Sequence, residues 1–186
     1  MQRTIVGGCV VLLWAGVCFG RGITITGRVI DYEARPVGEA EVAVVENGPD
    51  WDTQLQEARV CGPMGRTDGQ GRFEVKADVE SLRNAFVVVR KPGLAMAWDK
   101  APIEAGSASH IRFHLVMEKP ATISGRVLDG FGRAVAGANV RAVPKTSYLT
   151  TLDQSPISVP ESWLSTTTDA EGRFRFDAFS VDVLCD

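Results

Sequence analysis

The chain has 186 residues, 45% of them hydrophobic and 23% charged, a balance ordinary for a globular protein. Its formal net charge is -3 and its pI is near 5.5, with Lys and Arg scattered along the chain. No basic field therefore exists to hold nucleic acid or an anionic membrane surface.

The first twenty residues stand apart. Arg3 is followed by a run without charge from Ile5 to Phe19, and small Gly20 lies two positions beyond Cys18. This is the layout of a secretory signal peptide over residues 1–20. The run is short for a membrane span, which needs about 20 residues, although an uncleaved anchor is a second reading of the same run. The mature chain is expected to be exported (secreted, periplasmic or at the cell surface) with no membrane span. Cleavage removes Cys9 and Cys18. Cys61 and Cys185 remain, too far apart in sequence for a disulfide framework and without a C-x-x-C spacing. A bridge and two separate thiols both stay open.

Beyond the leader the apolar pattern is that of strands. "GITITGRVI" alternates and is β-branched, and "EVAVV", "RFEV", "AFVVV" and "HIRFHLVM" follow as short runs bounded by Gly, Pro, Asn or Asp. Helical spacing occurs only in "DWDTQLQEARV", where Trp51, Leu55 and Ala58 share a face, and in the brief "DVESLRN". The expectation is all-β.

A repeat sets the organisation. Ile25, Gly27, Arg28, Val29, Asp31, Arg35, Val37, Ala40 and Val42 recur at one constant offset as Ile123, Gly125, Arg126, Val127, Asp129, Arg133, Val135, Ala138 and Val140. "TDGQGRF" at Thr67–Phe73 recurs as "TDAEGRF" at Thr168–Phe174, three residues later than that offset. A period near one hundred residues is too long for a solenoid of about 20–50 and suits a small sandwich of about 100. Two tandem domains are expected, over 22–118 and 121–186, joined near "EKPA" at Glu118–Ala121. The second is incomplete. After its hairpin only "DAFSVDVLCD" remains, enough for one short strand around Val181–Cys185, and its uncovered core is expected to lean on the first domain, a partner or an extension.

The recurring T-D-x-x-G-R-F reads as a hairpin. Asp68 and Asp169 accept from nearby backbone amides, Gly71 and Gly172 tolerate positive φ, and Phe73 and Phe174 start inward-facing strands. No partner acid or base is repeated beside the carboxylates, so catalysis is not expected there.

"ISGRVLDGFGRAVAGANVRAV" followed by "TTTDAEGRFRF" resembles the carboxypeptidase regulatory-like domain, a transthyretin-like, prealbumin-like (Ig-like) β-sandwich. "ITGRVIDYEARPVGEAEVAVV" with "TDGQGRFEV" is similar, departing at Tyr32-Glu33-Ala34 from the usual glycine-containing turn. The resemblance covers about residues 22–179. It implies a module often found in tandem on exported bacterial proteins, without catalytic residues of its own. Related folds serve as carbohydrate-binding-like modules, adhesin stalk repeats and the front end of outer-membrane receptors.

The sequence carries no recognisable catalytic or metal-binding motif. His110 and His114 form H-x-x-x-H, but on a strand four residues span roughly 13 Å, too far for one ion. There is no G-x-S-x-G elbow, no phosphate loop and no calcium loop. No catalytic, metal or cofactor residue is assigned. Trp51 and Trp163, with Tyr148, lie in the long loops before the two hairpins and offer a sugar-stacking or protein-binding surface, unless each Trp folds back over its own sandwich. The expected function is an exported, non-enzymatic binding or spacer module of the cell envelope. Its partner would be a protein or polysaccharide of the cell surface. The alternatives are an accessory piece of a hydrolase such as a zinc carboxypeptidase, and a carbohydrate-binding module.

Overall fold

A computed structural model describes residues 21–46, 59–102, 109–142, 144–145, 159–179 and 184–185. The expected leader at 1–20 and the helical pattern at 50–58 lie outside the described residues. In chain order the strands are β1 (Arg21–Asp31), β2 (Glu41–Glu46), β3 (Arg59–Val60), β4 (Gly65–Arg66), β5 (Arg72–Val79), β6 (Ala85–Arg90), β7 (Ala97–Lys100) and β8 (His110–Met117). They continue as β9 (Ala121–Arg126), β10 (Asn139–Arg141), β11 (Pro144–Lys145), β12 (Ser165–Thr167), β13 (Arg173–Phe179) and β14 (Leu184–Cys185). One 3-10 turn, Leu82–Asn84, and one helical turn, α1 (Glu161–Leu164), interrupt them.

The described residues between 21 and 118 form a β-sandwich. One sheet places β1 between β5, antiparallel, and β8, parallel. The other runs β3-β2-β6-β7, with β4 also paired to β2. Alternation decides what faces inward: β5 and β8 both read exposed-buried along their whole length. Ile25, Val29, Phe73, Val75, Ile111, Phe113, Leu115 and Met117 from the first sheet meet Val42, Val44, Val87 and Val89 from the second in one core. Burial of each such side chain contributes about 1.5–3 kcal/mol.

The later residues reuse the same bonds. Val29 N–H donates to Gly71 O at 2.7 Å, and Val127 N–H to Gly172 O at 2.8 Å. The bridge Ile30–Pro36 has its counterpart in Leu128–Ala134. β9 pairs antiparallel with β13 as β1 does with β5, and β10 with β12 as β2 does with β4. β14 pairs with β11.

β2 and β6 are buried on both faces. Ala43, Val45, Phe86 and Val88 point away from the first core, into a second cluster with Met96, Ala142, Val159, Trp163, Leu164, Phe176 and Phe179. The outer face of the first sandwich thus serves as a wall for the later strands, and Met96 N–H donates to Ala178 O at 2.7 Å across the contact. Continuous apolar runs such as "FVVV" are the sequence mark of a strand covered on both sides.

Candidate functional site

The hairpins are built from side-chain acceptors. Asp68 Oδ1 accepts from Gln70 N–H at 2.9 Å and Arg72 N–H at 2.8 Å. Asp169 Oδ1 accepts from Glu171 N–H at 3.0 Å and Arg173 N–H at 2.7 Å. Gly71 and Gly172 both have φ of 74°, the left-handed region. A Cβ at Gly71 would stand 2.2 Å from Val29 O, and at Gly172 2.6 Å from Val127 O. In each hairpin the Asp Oδ1 is thus engaged by backbone amides.

Three further repeated side chains do similar work. Thr67 is buried; its hydroxyl donates to Val37 O at 2.7 Å and accepts from Ala40 N–H at 2.8 Å. Thr168 repeats both bonds with Val135 O and Ala138 N–H. Asp31 Oδ1 accepts from Glu33 and Arg35 N–H, and its Oδ2 pairs with Arg35 Nε at 2.9 Å. Asp129 does the same with Phe131, Arg133 and Arg133 Nε at 2.8 Å. The D-x-x-x-R spacing in each copy was the available signal for this turn.

Trp163 is buried. It is 5% exposed within the second cluster, with the Arg90 guanidinium 5.9 Å from its ring centroid. The ring is closed off from solvent within that cluster. Trp51 and Tyr148 lie outside the described residues.

What remains open is the outer face of the β5-β1-β8 sheet, beneath a depression of about 1050 Å3. Strand register arranges it as a grid: Lys76–Thr24–His110, Glu74–Thr26–Arg112 and Arg72–Arg28–His114 lie in successive rows. His110 Nε2 lies 2.9 Å from Thr26 Oγ1. His110 and His114 are both exposed on this face, one pleat apart on each side of Arg112. Among the described residues no group of three or more His, Cys, Asp or Glu could hold a metal ion. Arg28 directly opposes Arg72, a like-charge pair that destabilises a sheet, and Arg126 opposes Arg173 in the same way. Such rows of guanidinium donors suit a carboxylate or another oxyanion. Only the register across three strands reveals that Arg28, Arg72 and Arg112 share one patch.

A second polar cluster is internal to the sandwich rim. Glu46 is buried and accepts from Glu80 N–H at 3.1 Å, Ser81 N–H at 2.5 Å and Arg59 Nη1 at 3.2 Å. The Cys61 thiol lies 3.8 Å from Glu46 Oε2, and it is pushed up to about 11, by burial first and then by the Glu46 charge. A thiol in that state is a poor nucleophile.

No protein-family model matches the chain, and no curated protein does. Among solved structures it is similar to a streptococcal ancillary pilin at 12% identity, over 89% of this chain and 58% of that one, with a TM-score of 0.34. It is similar to the shaft pilin SpaA from Lactobacillus rhamnosus GG at 13% identity, over 87% of this chain and 83% of that one, with a TM-score of 0.32. A 9R-lipoxygenase from Cyanothece matches at 15% identity over 53% of this chain and 16% of that one, with a TM-score of 0.38.

Proposed function

We propose that this chain is an exported, non-catalytic binding or spacer module of the cell envelope, with its leader at 1–20 and tandem carboxypeptidase regulatory-like sandwiches at 22–118 and 121–186. The observation that carries this reading is the joint. Ala43, Val45, Phe86 and Val88 are directed out of one core and into the next, around Trp163. Apolar burial of this kind fixes two units in one orientation, which a spacer needs and a flexible linker does not supply. The matched turns at Asp31 and Asp129, and at Asp68 and Asp169, support two copies of one domain.

Binding falls to the grid around Arg28, Arg72 and Arg112, whose donors suit an acidic surface polymer or a carboxylate-bearing protein.

The test is made on the chain expressed with its own first twenty residues. Mass determination of exported protein should give a chain beginning near Arg21, and zinc-supplemented assays on peptides with free C-termini should give no hydrolysis. Retention inside the cell would overturn the export reading. Hydrolysis abolished by His114→Ala would overturn the non-catalytic one.

A further inference from the structure

Arg28 opposes Arg72 as Arg126 opposes Arg173, but the two rows are not equally free. In the later one Arg126 Nε donates to Glu171 O at 2.7 Å. Among the described residues, no hydrogen bond or ion pair engages the guanidinium of Arg28, Arg72 or Arg112. Neighbouring strands stand about 5 Å apart and successive outward positions about 7 Å apart, so these three residues are set at intervals of about 5–8 Å across β5, β1 and β8. A like-charge row costs stability unless something of opposite sign covers it.

The chemistry of the face selects the occupant. None of the outward positions in the three rows is apolar or aromatic. The apolar pair Ile30–Val116 comes one row further on and does not line the depression of about 1050 Å3. A protein partner needs an apolar or aromatic centre that excludes water, and unstacked bases need aromatic platforms. The face has neither. It has guanidinium forks for carboxylates, with the Thr24 and Thr26 hydroxyls between them for uncharged hydroxyl groups. Carboxylates repeated along a hydroxyl-rich chain are the mark of an acidic polysaccharide.

Resting on the assignment of binding to this face, we propose that Arg28, Arg72 and Arg112 hold the carboxylates of an acidic polysaccharide, and that His110 and His114 tighten the hold as pH falls. His114 ends the row of Arg28 and Arg72, and His110 Nε2 lies 2.9 Å from Thr26 Oγ1. Imidazole gains its charge between about pH 8 and 5. An imidazolium nitrogen only donates, so Thr26 Oγ1 then accepts from His110 and its own hydrogen is released to an oxyanion. Arg112 stands between the histidines on β8, so each new charge joins a positive field. Glu74 and Lys76 on β5 offset one another. At the rim Arg66 is paired with Glu39, and Asp68 is held by its own turn amides. β7, packed against β8 from the other sheet, carries one charge of each sign, Asp99 and Lys100.

The experiment titrates the full chain with polygalacturonate, whose carboxylates stay ionised above about pH 5, in a calorimeter at one ionic strength. Affinity should rise about tenfold between about pH 7.5 and 5.5, and uncharged dextran should not bind. Arg28→Gln with Arg72→Gln should weaken binding at both pH values. His110→Gln with His114→Gln should bind no tighter at the lower pH than at the higher. A thermal unfolding curve for each variant, matching the parent's, separates lost binding from lost fold. Binding that needs the arginines but is equal at both pH values overturns the histidine gate alone. No binding at either pH, or binding untouched by the arginine change, overturns the assignment of binding to this face and the proposal with it. Tighter binding of polyglutamate than of polygalacturonate assigns the face to an acidic protein, and overturns the polysaccharide.

Discussion

The ring of Phe73 lies across Gly27, its directly opposed partner on β1, so closely that a Cβ at Gly27 would stand 2.5 Å from the ring's Cζ. Phe174 lies across Gly125 at the same 2.5 Å. The recurring Gly-Arg-Val and Gly-Arg-Phe are therefore two sides of one contact, in which the glycine makes room for the aromatic ring. Gly27→Ala should cost about 1–3 kcal/mol as an overpacked core position. Gly125→Ala should cost less, since Phe174 is only half-buried and its ring can swing outward. Denaturant unfolding of the two variants checks the order; equal or negligible losses would refute the contact.

The turn after β1 differs between the copies in a way that backbone strain makes testable. Ala34 has φ of 62° where its counterpart Gly132 has 79°, and Glu39 has 56° where Gly137 has 71°. The first copy thus holds two side-chain-bearing residues in a region that favours glycine. Ala34→Gly should raise stability by up to about 1 kcal/mol, and Gly132→Ala should lower it by a similar amount. A loss on Ala34→Gly would show that the turn is unstrained.

These particulars indicate what the sequence made legible. The hairpin pattern puts Phe73 and Phe174 on inward faces; Phe73 is buried, whereas Phe174 is only half-buried. Paired turns follow from local chemistry, because Asp, Gly and their amide partners lie within a few residues of one another. The cover of Trp163 includes Phe86 and Val88, which come from the other half of the chain and leave no mark near position 163. "FVVV" did carry a sign of burial on both faces, yet nothing in it names the second neighbour. The grid of Arg28, Arg72 and Arg112 depends on register across three strands, which single-strand patterning does not contain.

Acid should unfold the protein partly through the two repeated turns. Burial by itself would raise the Asp31 carboxyl, but hydrogen bonds from the Arg35 amide and side chain and the Glu33 amide outweigh it, and the net direction is down from 3.8. Asp129 is lowered chiefly by the Arg133 amide. A carboxyl lowered on folding contributes stability above its unfolded value, and loses it as pH falls through the folded one. Stability should therefore drop as pH goes below 3.8, and Asp31→Asn with Asp129→Asn should flatten that limb. Parallel curves for the variant and the parent between roughly pH 5 and 2 would remove these turns from the account.

Cys61 should resist alkylation in the native state. It is 3% exposed, and its thiol is held at about 11, so at pH 8 roughly one molecule in a thousand carries the thiolate. Iodoacetamide followed by peptide mass analysis should leave Cys61 unmodified until denaturant is added. Labelling at the rate of an open thiol would mean that the Glu46 cluster opens readily.

The joint is where the later strands should fail first. In the first core, Ile25, Val29, Val42 and Phe73 are closed in by sheets on both sides, and among the described residues this core includes none beyond Met117. The second cluster has no such independence, since Ala43, Val45, Phe86, Val88 and Met96 of the first half form one of its walls. Trp163 belongs to the same cluster as that wall and Phe176, with the Arg90 guanidinium over its ring. Trp163→Ala should therefore remove about 3–5 kcal/mol from the stability of residues 121–186 while leaving residues 22–118 nearly as stable as before. Limited proteolysis reads both halves at once. Cleavage should accelerate after Lys119, and a resistant fragment ending near that residue should accumulate. Uniform digestion of the whole chain would mean that the first sandwich depends on its outer cover as much as the later strands do, and the two cores would have to be treated as one.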